Sequence, residues 1–249
     1  MATLLIAMIW AARDLNLGSL LCRGFSHPAA PSIVRAIRGL VVAICAIVIL
    51  FALALAVSGS GIGSGIGDRG AAALLIPKYF LSAIVIAIIE EGFFRAFLLG
   101  GMKGDFGKRV ALISSAAIYA VAHLIRSPAR FYVTAYEPAA GLITLAHSID
   151  QFTDPAIGIP TLIGLFLLGI VLGEAYILTG SVYFSIGLHS GFVLGAKMWP
   201  KIILDRATIP WWIAGGGAIP LIGGAAAWAI AIAVLLMLRP IAGARRTAA

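Results

Sequence analysis

The chain has 249 residues, 61% of them hydrophobic and only 11% charged, with mean hydropathy +1.07 and formal net charge +8. A soluble domain carries about 25% charged and roughly 45–50% apolar residues, so this composition excludes a water-soluble globule, a disordered chain and a disulfide-stapled secreted module. Cys22 and Cys45 are too few and too far apart for a metal knuckle or a disulfide framework. The basic excess falls between apolar runs, where it fixes orientation and meets anionic lipid rather than nucleic acid.

The apolar runs have the length that crosses a bilayer, about 20 residues for a ~30 Å core. Residues 1–12 are too short to span and lack the basic start and cleavage site of a signal peptide, so they predict an interfacial helix reaching to about Leu21. A polar stretch with Pro28 and Pro31 completes an N-terminal segment, 1–38. The first predicted span is Gly39–Val57, followed by a glycine-rich loop over 58–70 without the lysine-serine of a phosphate-binding loop. The second, Ala71–Leu99, carries Glu90, Glu91 and Arg95, and the third is Val110–Ile125. A mixed loop, Arg126–Pro155, holds a predicted short helix over 139–151. The remaining spans are Ala156–Leu178, Val182–Met198 and Ile213–Leu238, so the membrane domain covers 39–240, and a basic tail covers 241–249. The fold class is therefore an all-α, polytopic transmembrane bundle of about six spans with an N-terminal interfacial helix. With both termini cytoplasmic, inside segments hold ten basic residues and outside segments seven, the bias of a positive-inside arrangement.

Charges within a span cost about 2.5–3.5 kcal/mol each on insertion scales. Glu91 and Arg95 stand at i and i+4, the acid-first order that favours an ion pair. Glu90 lies about 100° round the helix from Glu91 and cannot share the arginine in the same way. The pattern predicts a division of roles, one carboxylate held by arginine and the other left to exchange a proton, as a general base must. His123 and His189 lie in two other spans. At 1.5 Å per residue, Glu90, His123 and His189 sit roughly 13, 20 and 10 Å from the cytoplasmic ends of their helices, one layer that a single polar cavity explains. Gly187, Gly191 and Gly195 form a small-residue ridge for close helix approach, and His189 points away from it. His27 and His147 read as incidental.

Glu-Glu-x-x-x-Arg in one apolar helix, Tyr119-x-x-x-His123 in the next and His189 in a third resemble the CAAX-protease and bacteriocin-processing family of intramembrane endopeptidases, over about residues 75–200. The resemblance implies that Glu90 activates water, that His123 helps hold it, that Glu91 and Arg95 lock the helix, and that His189 faces the developing oxyanion. Tyr119 stands where that family commonly has phenylalanine. Val193 stands where it usually has a polar residue, leaving His189 or, one turn before it, Ser185 to supply the oxyanion donor.

The function expected is cleavage of a membrane-associated peptide or protein segment at the cytoplasmic side, by a multi-pass protein of the cell (inner) membrane using glutamate-activated water. No cofactor is expected; the alternative is a catalytic zinc held by Glu90, His123 and His189 in an open three-ligand site. Two other functions compete: a catalytically silent scaffold of the same family, and a proton-coupled transporter using the same buried groups as a relay.

Overall fold

The computed structural model describes residues 17–26, 29–58, 69–125, 154–203, 208–215, 219 and 221–241. The predicted loops over 58–70 and 126–155 fall mostly outside these residues. So do the predicted helix over 139–151, His27, His147, Pro220, nearly all of the 241–249 tail and the first sixteen residues of the interfacial helix. The described structure is an all-α bundle: α1 Leu17–Phe25, α2 Ala29–Ser58, α3 Arg69–Glu91, a π-helical segment Gly92–Leu99, α4 Gly100–Leu124, α5 Pro155–Thr179, α6 Tyr183–Ile202, α7 Trp211–Ala214 and α8 Ala225–Ile241.

Capping chemistry shows why α5 begins and ends where it does. Asp154 accepts a hydrogen bond from the Ala156 amide at 3.0 Å, and Pro155 occupies the first helical position, where its missing N–H costs nothing. Gly180 closes the helix in the left-handed conformation (φ 66°), its amide bonded to the Tyr176 carbonyl. By length and composition, Ser32–Ser58 and Pro155–Thr179 are each sufficient to cross a bilayer; Ala225–Leu238 is apolar but shorter.

The core lies where α5 and α6 meet α2, α4 and the π segment, around Leu172, Phe184, Leu188 and Tyr119. The opposite sides of the outer helices expose Ile33, Ile37, Ile44 and Val48 of α2, Ile113 and Val121 of α4, and Leu236 of α8. Lipid, not water, suits such surfaces. The most extensive helix contact joins α2 to α6 along the glycine ridge. A Cβ on Gly187 would strike the Ala36 carbonyl, and one on Gly191 would strike the Ala43 methyl.

Four boundaries differ from the sequence expectation. Helix α2 starts at Ala29, ten residues before the first predicted span, because Pro31 falls in its first turn, where proline is tolerated. The helix before it, α1, is seated on the bundle: the Tyr183 hydroxyl donates to the Phe25 carbonyl at 3.1 Å, and the two rings meet edge to face. The second predicted span is not one α-helix, since it changes to π geometry after Glu91. It then runs through 100–106 to Gly107, whose φ of 77° and ψ of 163° turn the chain before 108–124; a side chain rarely adopts that conformation.

The predicted sixth span, Ile213–Leu238, is broken. α7 ends at Gly215 (φ 70°), and an irregular turn precedes α8. Glycine at 215–217, 223 and 224, with Pro220, outweighs the mean hydropathy of the run. Backbone bonds from the Leu221 amide to Ala214 and from the Gly224 amide to Leu221 satisfy this turn, as does the Trp228 indole on the Ile222 carbonyl.

Candidate functional site

Glu90 and Glu91 are the last two residues of α3, and the π segment that follows carries Arg95. π turns gather at functional sites because they re-aim side chains within a helix. This one is braced from α4, where the buried Ser115 hydroxyl donates to the Phe94 carbonyl at 3.1 Å. The Arg95 Nε lies 3.2 Å from Glu91 Oε2, with both side chains almost wholly buried. The pair is close but not aligned as a hydrogen bond, and among the described residues no side-chain nitrogen of Arg95 has a hydrogen-bond partner. Its guanidinium instead lies 4.6 Å from the centre of the Tyr119 ring. Coulombic attraction and the ring face together hold the cation.

Glu90 takes a different direction. Its Oε2 lies 3.1 Å from His123 Nε2 and 3.6 Å from His189 Nε2. The other ring nitrogens are engaged elsewhere: His123 Nδ1 is 2.9 Å from the Tyr119 carbonyl oxygen, and His189 Nδ1 is 2.8 Å from Glu91 Oε1. A carbonyl only accepts, so His123 Nδ1 carries the hydrogen and donates it. Glu91, facing Arg95, is likewise the acceptor for His189 Nδ1–H. Both Nε2 atoms are thereby turned toward one carboxylate oxygen. In neutral rings of this tautomer Nε2 is a lone-pair acceptor, so either contact with Glu90 is attractive only with a proton between the two atoms.

The structure thus brings Glu90, Glu91, Arg95, His123 and His189 into one cluster. They come from three helical stretches that the chain separates widely. Glu90, His123 and His189 line a cavity of about 590 Å³ whose other walls are mainly apolar. Val193 lines it as well, one turn beyond His189. Ser185 does not serve as a donor there, because its hydroxyl is given to the Leu172 carbonyl at 3.0 Å. Among the described residues no three His, Cys, Asp or Glu side chains form a set that could hold a metal ion. Glu90, His123 and His189, the residues of the alternative zinc site, meet through Glu90, which touches both histidines.

Three features of the cavity escape a reading of the sequence. His189 contacts both glutamates, and nothing in the spacing of residues on separate helices reveals that. The broken sixth span supplies Ile219, Leu221 and Ile222 to the wall, and Leu221 has the unusual backbone φ of 72°. Lys197 also faces the cavity, donating to Ser82 at 2.7 Å; its position inside the predicted fifth span was the available signal.

Residues 72–195, a stretch containing all five clustered residues, match the family model described as type II CAAX prenyl endopeptidase Rce1-like. No curated protein and no solved structure matches the chain.

Proposed function

We propose, for a chain that carries over residues 72–195 a domain of the type II CAAX prenyl endopeptidase Rce1-like family, that it is an intramembrane endopeptidase acting through water activated by Glu90. The family makes it a membrane protein of CAAX-protease type with a membrane-associated protein substrate. The observation that carries the finer reading is the approach of Glu90 Oε2 to His123 Nε2 and His189 Nε2 at one cavity wall.

A water resting against both Glu90 and His123 at the cavity wall attacks the carbonyl carbon of the scissile amide while Glu90 takes its proton. The negative charge that develops on the carbonyl oxygen faces His189, which in its protonated form donates from Nε2. Glu91 accepts from His189 Nδ1 and faces Arg95, so the ring is held with Nε2 toward the cavity without moving any group. Collapse of the intermediate breaks the C–N bond as Glu90 returns the proton to the leaving nitrogen; the acid so formed passes its remaining proton to the amine, and a carboxylate and an ammonium result. Preorganised donors of this kind are worth about 10²–10³ in kcat. No step here runs through a metal.

In this reading the protein is a multi-pass protein of the cell (inner) membrane. It cleaves at the cytoplasmic side, toward which Leu99 and Val182 point in the positive-inside orientation. Val193 favours one second reading, a silent scaffold of the same family, since valine offers the cavity no donor. The test is turnover of a membrane-presented peptide library by purified wild type and Glu90→Gln in proteoliposomes. Cleavage by wild type alone supports the peptidase; undiminished cleavage by Glu90→Gln overturns the mechanism.

A further inference from the structure

The C-terminal end of α1 lies in a notch between two elements of the site. On one side is the π segment, which carries Arg95; on the other is the start of α6, which carries His189. Glu91 faces both of those residues, so its two contacts hold only while the two elements keep one relative placement.

The seat on α6 is polar. The last carbonyls of one helix and the first amides of another lack partners within their own helices. Across this notch the Val182 amide donates to the Gly24 carbonyl at 3.2 Å, and the Tyr183 hydroxyl serves the Phe25 carbonyl at 3.1 Å. The seat on the π segment is apolar and close. A Cβ on Gly24 would come 2.6 Å from the Ala96 methyl, and one on Gly92 would come 3.8 Å from the Phe25 ring. Phe25 packs on a buried cluster in which Ala96 and Leu99 of the π segment meet Val182 and Ile186 of α6. A π segment is an uncommon conformation, and this one is braced from two helices: by Ser115 of α4 and by the end of α1.

We propose that Gly24 and Phe25 are positioning residues. Without touching substrate, they hold the π segment against the start of α6, so that Arg95 and His189 meet Glu91 together. The inference rests on the peptidase reading above for its effect on turnover; the placement of His189 is measured without it.

The test moves one methyl across the contact. Ordinary carbon contacts lie at about 3.5–4.0 Å, so a methyl added at Gly24 pushes Ala96 away by about 1 Å. Misplacement of that size can cost about 10²-fold in rate. Gly24→Ala is expected to lower kcat toward that extent with KM little changed, on one peptide chosen from those that wild type cleaves in proteoliposomes. Gly24→Ala/Ala96→Gly removes the opposing methyl and restores kcat. Phe25→Leu, which stays apolar but loses the ring, gives a smaller loss of the same kind and carries the test where Gly24→Ala does not fold. The chain has four histidines. Ring-nitrogen NMR of histidine-labelled full-length protein in nanodiscs, assigned with His189→Gln, therefore reads the His189 Nδ1–H directly. Its signal shifts in Gly24→Ala and returns in the double variant, while Gly104→Ala leaves it in place.

A lower unfolding temperature with the His189 signal unmoved marks a merely structural contact and overturns the proposal. So does a shift that Ala96→Gly fails to reverse, or an unchanged kcat beside a shifted signal. A His189 signal that shifts and returns in a protein whose wild type cleaves nothing leaves the positioning role standing and refutes the peptidase instead.

Discussion

His189 Nδ1 lies 2.8 Å from Glu91 Oε1, joining residues ninety-eight positions apart in the chain. Through that contact Glu91 does two things at once: it faces Arg95 on its own helix and sets the tautomer of a histidine on another. The adjacent glutamates therefore differ not by chemistry but by what surrounds them. Glu91 is enclosed by a cation and a donor, while Glu90 reaches the cavity.

Arg95 and Glu91 should accordingly behave as a coupled pair. Removing one partner of a buried pair leaves an uncompensated charge and costs about 3–5 kcal/mol, whereas replacing both with apolar residues of similar size is often far milder. Arg95→Leu is expected to destabilise the protein more than Glu91→Leu/Arg95→Leu, with the double variant retaining the cost of the His189 donor it strands. Thermal unfolding of wild type, Arg95→Leu, Glu91→Leu and the double variant in detergent supplies the double-mutant cycle. Additive losses would show that the pair contributes no coupling.

The two histidines should separate in stability although not in activity. His189 is 2% exposed and bridges both carboxylates; His123 is 22% exposed and gives its Nδ1–H to a carbonyl of its own helix. Replacing His189 by leucine strands Glu91 Oε1, a loss of about 1–3 kcal/mol for a buried acceptor. Replacing His123 by leucine frees Tyr119 O, already in the helix ladder, and leaves Glu90 Oε2 its approach to His189. Both variants are expected to lose turnover, and only His189→Leu to lower the unfolding temperature. Equal destabilisation by the two would count against the tautomer argument.

Close approach of α2 and α6 carries a third expectation. A methyl on Gly187 meets backbone, the Ala36 carbonyl and the Leu40 amide, which cannot swing aside as a side chain can. Overpacking of this kind typically costs about 1–3 kcal/mol. At Gly104 the added methyl meets nothing. Gly187→Ala should therefore unfold at lower temperature than wild type while Gly104→Ala does not, and a matched pair of melting curves decides it.

Much of this was legible in the chain, for particular reasons. The Glu91–Arg95 approach follows from an i, i+4 spacing, a property of one helix alone. The common depth of Glu90, His123 and His189 follows from counting residues along three helices. The tie between His189 and Glu91 depends on how far α6 is rotated against α3, which glycine contacts with α2 help decide and no single helix records. The break before α8 was obscured because an apolar average conceals the glycines and proline within it. The π turn after Glu91 has no sequence mark, since Gly-Phe-Phe-Arg reads as ordinary helix. Lys197 was visible inside a span, but its neighbour Ser82 lies 115 residues away.

Val193 decides between the peptidase and its silent relative. It faces the cavity one helical turn beyond His189, so a polar side chain there would project beside the histidine to which the proposed mechanism assigns the oxyanion. Valine excludes water and donates nothing. Asparagine at this position is nearly the same size and adds an N–H₂ donor to an apolar wall. If His189 suffices for the oxyanion, Val193→Asn leaves turnover unchanged; if the site is short of donors, the variant gains up to the roughly 10²–10³ in kcat that one such group contributes. Turnover of the same peptide library by wild type, Val193→Asn and Val193→Asn/Glu90→Gln distinguishes the cases. Activity present in wild type and equal or higher in Val193→Asn supports a working peptidase. Activity absent in wild type, present in Val193→Asn and lost again in the double variant identifies a silent scaffold that retains the glutamate machinery. A Val193→Asn protein that turns over more slowly than an active wild type would contradict the placement of the oxyanion beside His189.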